Sequence, residues 1–141
     1  MPGQTLPITI NRLDHIGIVV EDLDQAKERY GDWYGFTKVT DMVFDPVQKV
    51  RLVFVETGPG PRLELIEAVG EDSPVLKYAQ TGGGLHHLCY EVDQLEDALS
   101  GMRAKGALIV CPPVPAVALQ NRRIAFIYTR DKQLIEFLEA A

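Results

Sequence analysis

Two histidines and two glutamates are the residues of this sequence best suited to chemistry, and a repeat singles them out. His15 lies in LDHIGIVV and His87 in LHHLCYEV; Glu64 lies in LELIEA and Glu136 in IEFLEA. The partners in each pair are 72 residues apart, and the same offset matches Leu13 with Leu85, Val20 with Val92, Leu23 with Leu95 and Ala26 with Ala98. It continues through Gln48 and Gln120, Arg51 and Arg123, Phe54 and Phe126, and Thr57 and Thr129. So many matches in one register point to a duplicated module. Neutral imidazole with carboxylate is a donor set for a first-row divalent ion, and four such ligands leave room for a water or substrate oxygen. A carboxylate inside an apolar strand is costly unless it is paired, hydrogen-bonded or bound to metal. Two modules related by a pseudo-twofold would bring His15, Glu64, His87 and Glu136 around one point.

The elements that must position these residues read as β-α-β-β-β in each module. In the first, 15–20 is β-branched and alternating, which predicts a strand. Residues 22–34 have helical spacing, with Asp22 or Asp24 to cap the start and Gly35 to end it. Strands are expected at 36–44, 50–57 and 63–68. The second module repeats the order: a strand at 88–92, a helix at 94–105 stopped by Gly106, and strands at 107–111, 123–129 and 134–138. Pro112-Pro113-Val114-Pro115 reads as a stiff loop between strands. Gly58-Pro59-Gly60-Pro61 reads as a tight turn, and 68–84 as a linker with one short helix and a flexible Gly82-Gly83-Gly84 run. The chain therefore divides into a single domain, 13–141, of two repeats at about 13–84 and 85–141, after an N-terminal arm at 1–12.

Strand parity assigns the faces. Ile16, Ile18 and Val20 should pack on the helix and put His15 on the opposite face; Leu88, Tyr90 and Val92 do the same for His87. His86 therefore falls on the helix side. Glu64 and Glu136 oppose Leu63, Leu65, Ile135 and Phe137. Glu67 and Glu139 also recur, but parity puts them near strand ends on the helix side, where solvation is expected. Cys89 reads as a small buried filler, since its repeat partner is Gly17. Trp33, Tyr30 and Tyr34 read as helix packing. Arg122 and Arg123 could meet an anionic substrate or form structural ion pairs.

Composition narrows the function classes. The chain has 141 residues, of which 46% are hydrophobic and 24% charged, as in an ordinary globular protein. Its net charge of −6 leaves no overall basic field for a nucleic-acid backbone. No apolar run is long enough to span a membrane, and no secretory leader is evident. Cys89 and Cys111 are too few for a disulfide framework and read as thiols in a reducing cytoplasm.

The LDHIGIVV and LHHLCYEV strands, each followed by an acidic-capped helix, and the late LIEFLE resemble the vicinal oxygen chelate superfamily. That superfamily includes glyoxalase I, extradiol dioxygenases, bleomycin-resistance proteins and methylmalonyl-CoA epimerase. The resemblance implies an α+β fold in which two tandem βαβββ modules form a cupped, partly barrel-like mixed sheet around one divalent metal ion. It puts His15, Glu64, His87 and Glu136 on the four ligand positions, with the metal open among Co, Ni, Mn, Zn and Mg. The stretch LELIEAVGEDSPVLKYAQTGGGLHHLCYEV is similar to methylmalonyl-CoA epimerases. Leu52 stands where bacterial epimerases often carry a glutamate, and 128–132 replace an HPK-type loop.

The resemblance implies proton transfer next to a carbonyl, with Glu136 and Glu64 as the acid–base carboxylates and an acyl-CoA or other thioester or dicarbonyl compound as substrate. Epimerisation of a methylmalonyl-CoA-like thioester is the leading expectation. The alternatives are a glyoxalase I-like lyase acting on a glutathione hemithioacetal and a non-enzymatic small-molecule binding protein. A ring-cleaving dioxygenase would use two His and one carboxylate on Fe(II). The expected assembly is a cytoplasmic homodimer with no nucleic-acid or membrane partner.

Overall fold

The computed structural model describes residues 8–141. Its elements are β1 (Ile10–Val19), α1 (Leu23–Tyr34), β2 (Val43–Asp45), β3 (Val50–Val55), β4 (Arg62–Ala68), α2 (Leu76–Gln80), β5 (Gly84–Val92), α3 (Leu95–Ala104), β6 (Leu108–Pro115), a 3-10 turn at Val117–Leu119, β7 (Arg123–Tyr128) and β8 (Leu134–Glu139). By contacts the chain divides into two units, one of residues 15–86 and one joining the N-terminal residues through Asp14 to 87–141. Residues 1–7 of the expected arm lie outside the described residues. Residues 10–12 are already strand, so the arm is shorter than the sequence suggested.

In the unit of residues 15–86, the strand order is β2-β3-β4-β1. β1 pairs with β4 in parallel and β3 pairs with both β4 and β2 antiparallel. α1 starts at Asp22, whose side chain accepts from the Gln25 N–H at 3.0 Å, and stops at Gly35, whose φ of 73° is the left-handed cap. The helix buries Leu23 and Ala26 against Val53, Val55 and Leu65, with Ile18, Val20 and Leu63 packed alongside. These apolar positions follow the expected parity. The opposite strand face is not wet either, since His15 and Val19 are also buried.

The other unit repeats the pattern. Its order is β5-β8-β7-β6, with β5 and β8 parallel and the remaining pairs antiparallel. α3 packs Leu95, Ala98 and Leu99 against Ala125, Ile127, Ile135 and Phe137. The register is identical in the two copies. Gly17 faces Glu64 as Cys89 faces Glu136, and Phe54 faces Glu64 as Phe126 faces Glu136.

Four local expectations are corrected. The strand expected at 36–44 is reduced to β2 and a single bridge from Val39 to Val55. Pro112 to Pro115 belong to β6, because among the described residues this strand ends the order and pairs only with β7, so missing N–H groups are tolerated; register shifts at Ile109/Cys111 and Cys111/Val114 absorb them. Trp33 and Tyr34 are exposed, and only Tyr30 of that trio joins the core, because the 12-residue helix turns them away from the sheet. The glycine run is pinned rather than flexible: Gly83 adopts φ 63°, and a Cβ there would fall on the Val19 carbonyl oxygen.

Candidate functional site

In the unit of residues 15–86, β1 and β4 lie side by side in parallel, so two residues from separated parts of the chain share a face. His15 has no exposure and Glu64 is 7% exposed. The His15 Nε2 is 3.5 Å from the Glu64 Oε1. Phe54, on β3, closes one side, its ring edge-on to the imidazole with centroids 5.2 Å apart at 71°. Arg62 extends the group, its guanidinium carbon 4.1 Å from the Phe54 ring centroid. Arg62 and Glu64 are two residues apart on one strand, which puts them on one face.

The other unit builds the same pair. His87 is 6% exposed and Glu136 is 5% exposed, with the His87 Nε2 3.1 Å from the Glu136 Oε1. Phe126 lies edge-on to His87, centroids 5.2 Å apart at 83°. His86 instead meets the ring of Tyr78, whose hydroxyl donates to the Leu85 carbonyl. Cys89 is fully buried and Cys111 partly so, both as thiols.

Each pair offers one imidazole nitrogen and one carboxylate oxygen as ligand atoms. Separations of 3.1 and 3.5 Å between the two donor atoms of each pair are short enough for both atoms to reach one first-row ion at bond lengths of about 2.1 Å. Burial fits as well. A buried carboxylate needs a cation or donors, and a divalent ion satisfies it while holding the imidazole neutral.

Sequence reasoning overlooked Phe54 and Phe126, although both belong to the repeat. The signal was there: the same aromatic in both copies, in the strand next to the glutamate. Glu67 and Glu139 correct another expectation, because neither is simply solvated. Glu67 accepts from the Leu23 backbone N–H at 2.7 Å and from Arg51 Nε at 2.8 Å. Its side chain is 14% exposed. Glu139 pairs with Arg123, which also reaches Glu96. Arg122 donates to Glu91 and to the Glu139 carbonyl. Both arginines thus form structural ion pairs. These pairs raise the Arg123 pKa, Glu139 contributing most, and hold the Glu91 carboxyl below its ordinary value.

Comparison with known proteins gives three kinds of match. Residues 14–126 match the family model of the glyoxalase/bleomycin resistance protein/dioxygenase superfamily. A mitochondrial methylmalonyl-CoA epimerase of Mus musculus is 36% identical over 124 residues, which is 86% of this chain and 68% of that protein. The crystal structure of methylmalonyl-CoA epimerase from Mycobacterium tuberculosis superposes with a TM-score of 0.83 at 28% identity, covering 100% of this chain and 96% of the other. A variant of the Streptomyces coelicolor enzyme, solved in complex with 2-nitronate-propionyl-CoA, gives a TM-score of 0.80 at 30% identity, covering 94% and 99%. Among the described residues, no helix is long and apolar enough to cross a membrane.

Proposed function

Because this chain belongs to the glyoxalase/bleomycin resistance protein/dioxygenase superfamily and has its mixed α+β vicinal oxygen chelate fold, we propose that it is a metal-dependent epimerase of a methylmalonyl-CoA-like acyl-CoA thioester. His15, Glu64, His87 and Glu136 are the residues that would hold one divalent ion. The observation that carries this reading is the buried His–Glu pair built twice, in one strand register, beside the same aromatic residue. The likeness to methylmalonyl-CoA epimerases over most of the chain supports the substrate class.

When bound, the ion supplies a positive centre that stabilises the negative charge developing on a thioester carbonyl oxygen. The protein's own residues do the rest. Glu136 takes the α-proton onto a carboxylate oxygen, and Glu64 delivers a proton to the opposite face of the same carbon, inverting it. The proton count is unchanged and no other bond of the substrate is broken. Phe54 and Phe126 shield the imidazoles, keeping water from the carboxylates and fixing the rings. Delivery to the neighbouring carbon instead would make a glyoxalase-type isomerisation, so the two chemistries differ only in where the proton lands.

The test is wash-in of solvent deuterium at the α-carbon of methylmalonyl-CoA, run beside disappearance of the methylglyoxal–glutathione hemithioacetal. Deuterium incorporation with no loss of the adduct is the expected result. Loss of the adduct alone transfers the reading to the lyase, and absence of stoichiometric divalent metal in the purified protein refutes both. Glu136→Gln should retain metal and lose at least about a hundredfold in exchange rate. Full turnover in that variant with metal bound would overturn the base assignment. The reading includes a cytoplasmic homodimer without nucleic-acid or membrane partners; light scattering checks the dimer.

A further inference from the structure

Within residues 15–86, one feature of the candidate site breaks the repeat. The two copies share His, Glu and Phe, yet the residue two before the glutamate is Arg62 in the first and Leu134 in the second. Leu is what an apolar strand start calls for, so packing does not require a cation there. Arg62 is nonetheless half-buried, paired in register with His15 across β1 and β4, on the face that carries Glu64. Its guanidinium rests on the Phe54 ring that also contacts His15. Lying over a ring holds the planar fork in place, so less freedom is lost when it takes an anion bidentately.

We infer that Arg62 is the specificity-determining residue that binds the free carboxylate of a malonyl-type acyl thioester. The inference rests on the acyl-CoA reading above and adds which group of the substrate is recognised and by what. In a methylmalonyl thioester the carboxylate is attached to the very carbon that exchanges its proton. A cation two residues from Glu64 and in register with His15 is therefore at the right end of the substrate. In a chain of net charge −6, an anionic head group meets repulsion unless a local positive charge receives it. The second copy carries Leu134 in this position and so offers no cation there.

The experiment compares malonyl-CoA with propionyl-CoA, in which a methyl group stands where malonyl-CoA has the carboxylate. Dissociation constants are measured by calorimetry on the metal-loaded protein, for wild type, Arg62→Leu and Arg62→Lys. Arg62→Leu copies the residue that the second module tolerates, and Arg62→Lys keeps charge without the fork. Wild type should favour malonyl-CoA. Arg62→Leu should lower that preference by roughly ten- to hundredfold, through weaker malonyl-CoA binding at unchanged propionyl-CoA affinity, and Arg62→Lys should recover part of it. Metal content should be equal in all three.

Equal weakening of both ligands, or an unchanged preference, would show Arg62 to be a packing residue and overturn the inference. Wild type with no preference would do so as well. The deuterium wash-in decides the epimerase reading separately. A protein that exchanges the α-proton without discriminating keeps the activity and loses Arg62; one that discriminates without exchanging does the reverse.

Discussion

Replacing Glu67 with Ala removes two interactions of different kind, and the structure ranks them. The Oε2 atom accepts from the backbone N–H of Leu23, the first residue of α1, at 2.7 Å. Leu23 is 2% exposed, so water has little access to satisfy its amide in the variant. Leaving such a donor unpaired costs about 1–3 kcal/mol, and losing a negative charge at a helix N-terminus adds about 0.3–1 kcal/mol. The second interaction is the ion pair with Arg51, whose side chain is 40% exposed. Screening limits that part to about 0–1 kcal/mol. Together the loss is about 2–4 kcal/mol, or a fall in Tm of roughly 6–16 °C for a chain of this size.

Urea and thermal unfolding of Glu67→Ala, Glu67→Gln and Arg51→Ala separate the parts. Glutamine keeps an acceptor oxygen for the Leu23 amide but loses the charge, so it should cost only about 1 kcal/mol. Arg51→Ala should cost about as little. A Glu67→Ala variant within about 0.5 kcal/mol of wild type, or a Gln variant as unstable as the Ala one, would refute the argument that the buried amide dominates.

Gly83→Ala places a Cβ on the Val19 carbonyl at a positive φ, and should lower stability by about 2–4 kcal/mol in denaturant titrations. Glu91 carries a pH dependence. The hydrogen bond from Arg122, at 2.8 Å, outweighs burial and, with Asn11 and Arg12, lowers its pKa below 4.5. A depressed folded-state value means the stabilisation is present above pH 4.5 and lost as pH falls through the lower folded value. Tm measured against pH should therefore drop less steeply on the acid side for Glu91→Gln. Stripping metal with a chelator should lower Tm, by the equivalent of about 2.7 kcal/mol where the free ion had stood about a hundredfold above its Kd, and a divalent salt should restore it.

Much of the candidate site was legible because duplication writes each candidate position twice. Single histidines in strands carry little information; His15 and His87 at the offset shared by Glu64 and Glu136 carry a great deal. Parity distinguished His87 from His86, which the structure places against Tyr78. The misreadings have one cause, since each depended on a neighbour distant in sequence. Glu67 looked solvated because nothing local reveals that the start of α1 lies 44 residues earlier, over the end of β4. The Pro112–Pro115 segment looked like a loop because strand propensity says nothing about which strand lies at an edge. Trp33 and Tyr34 looked like core because helical spacing does not tell how wide a stripe the sheet can cover.

The sequence by itself determined the module, its duplication, the apolar face of each helix and strand, and the four residue types able to hold a divalent ion. These follow from local periodicity and from repetition, which need no partner to be read. Only the tertiary structure decided the pairings: β1 beside β4, which brings the His15 Nε2 to 3.5 Å from Glu64, and β5 beside β8, which brings the His87 Nε2 to 3.1 Å from Glu136. It alone laid Arg62 on Phe54 and Glu67 on the Leu23 amide. The physical reason is that parallel pairing joins strands separated by a crossover. Which side chains then share a face depends on a register that only the folded chain specifies.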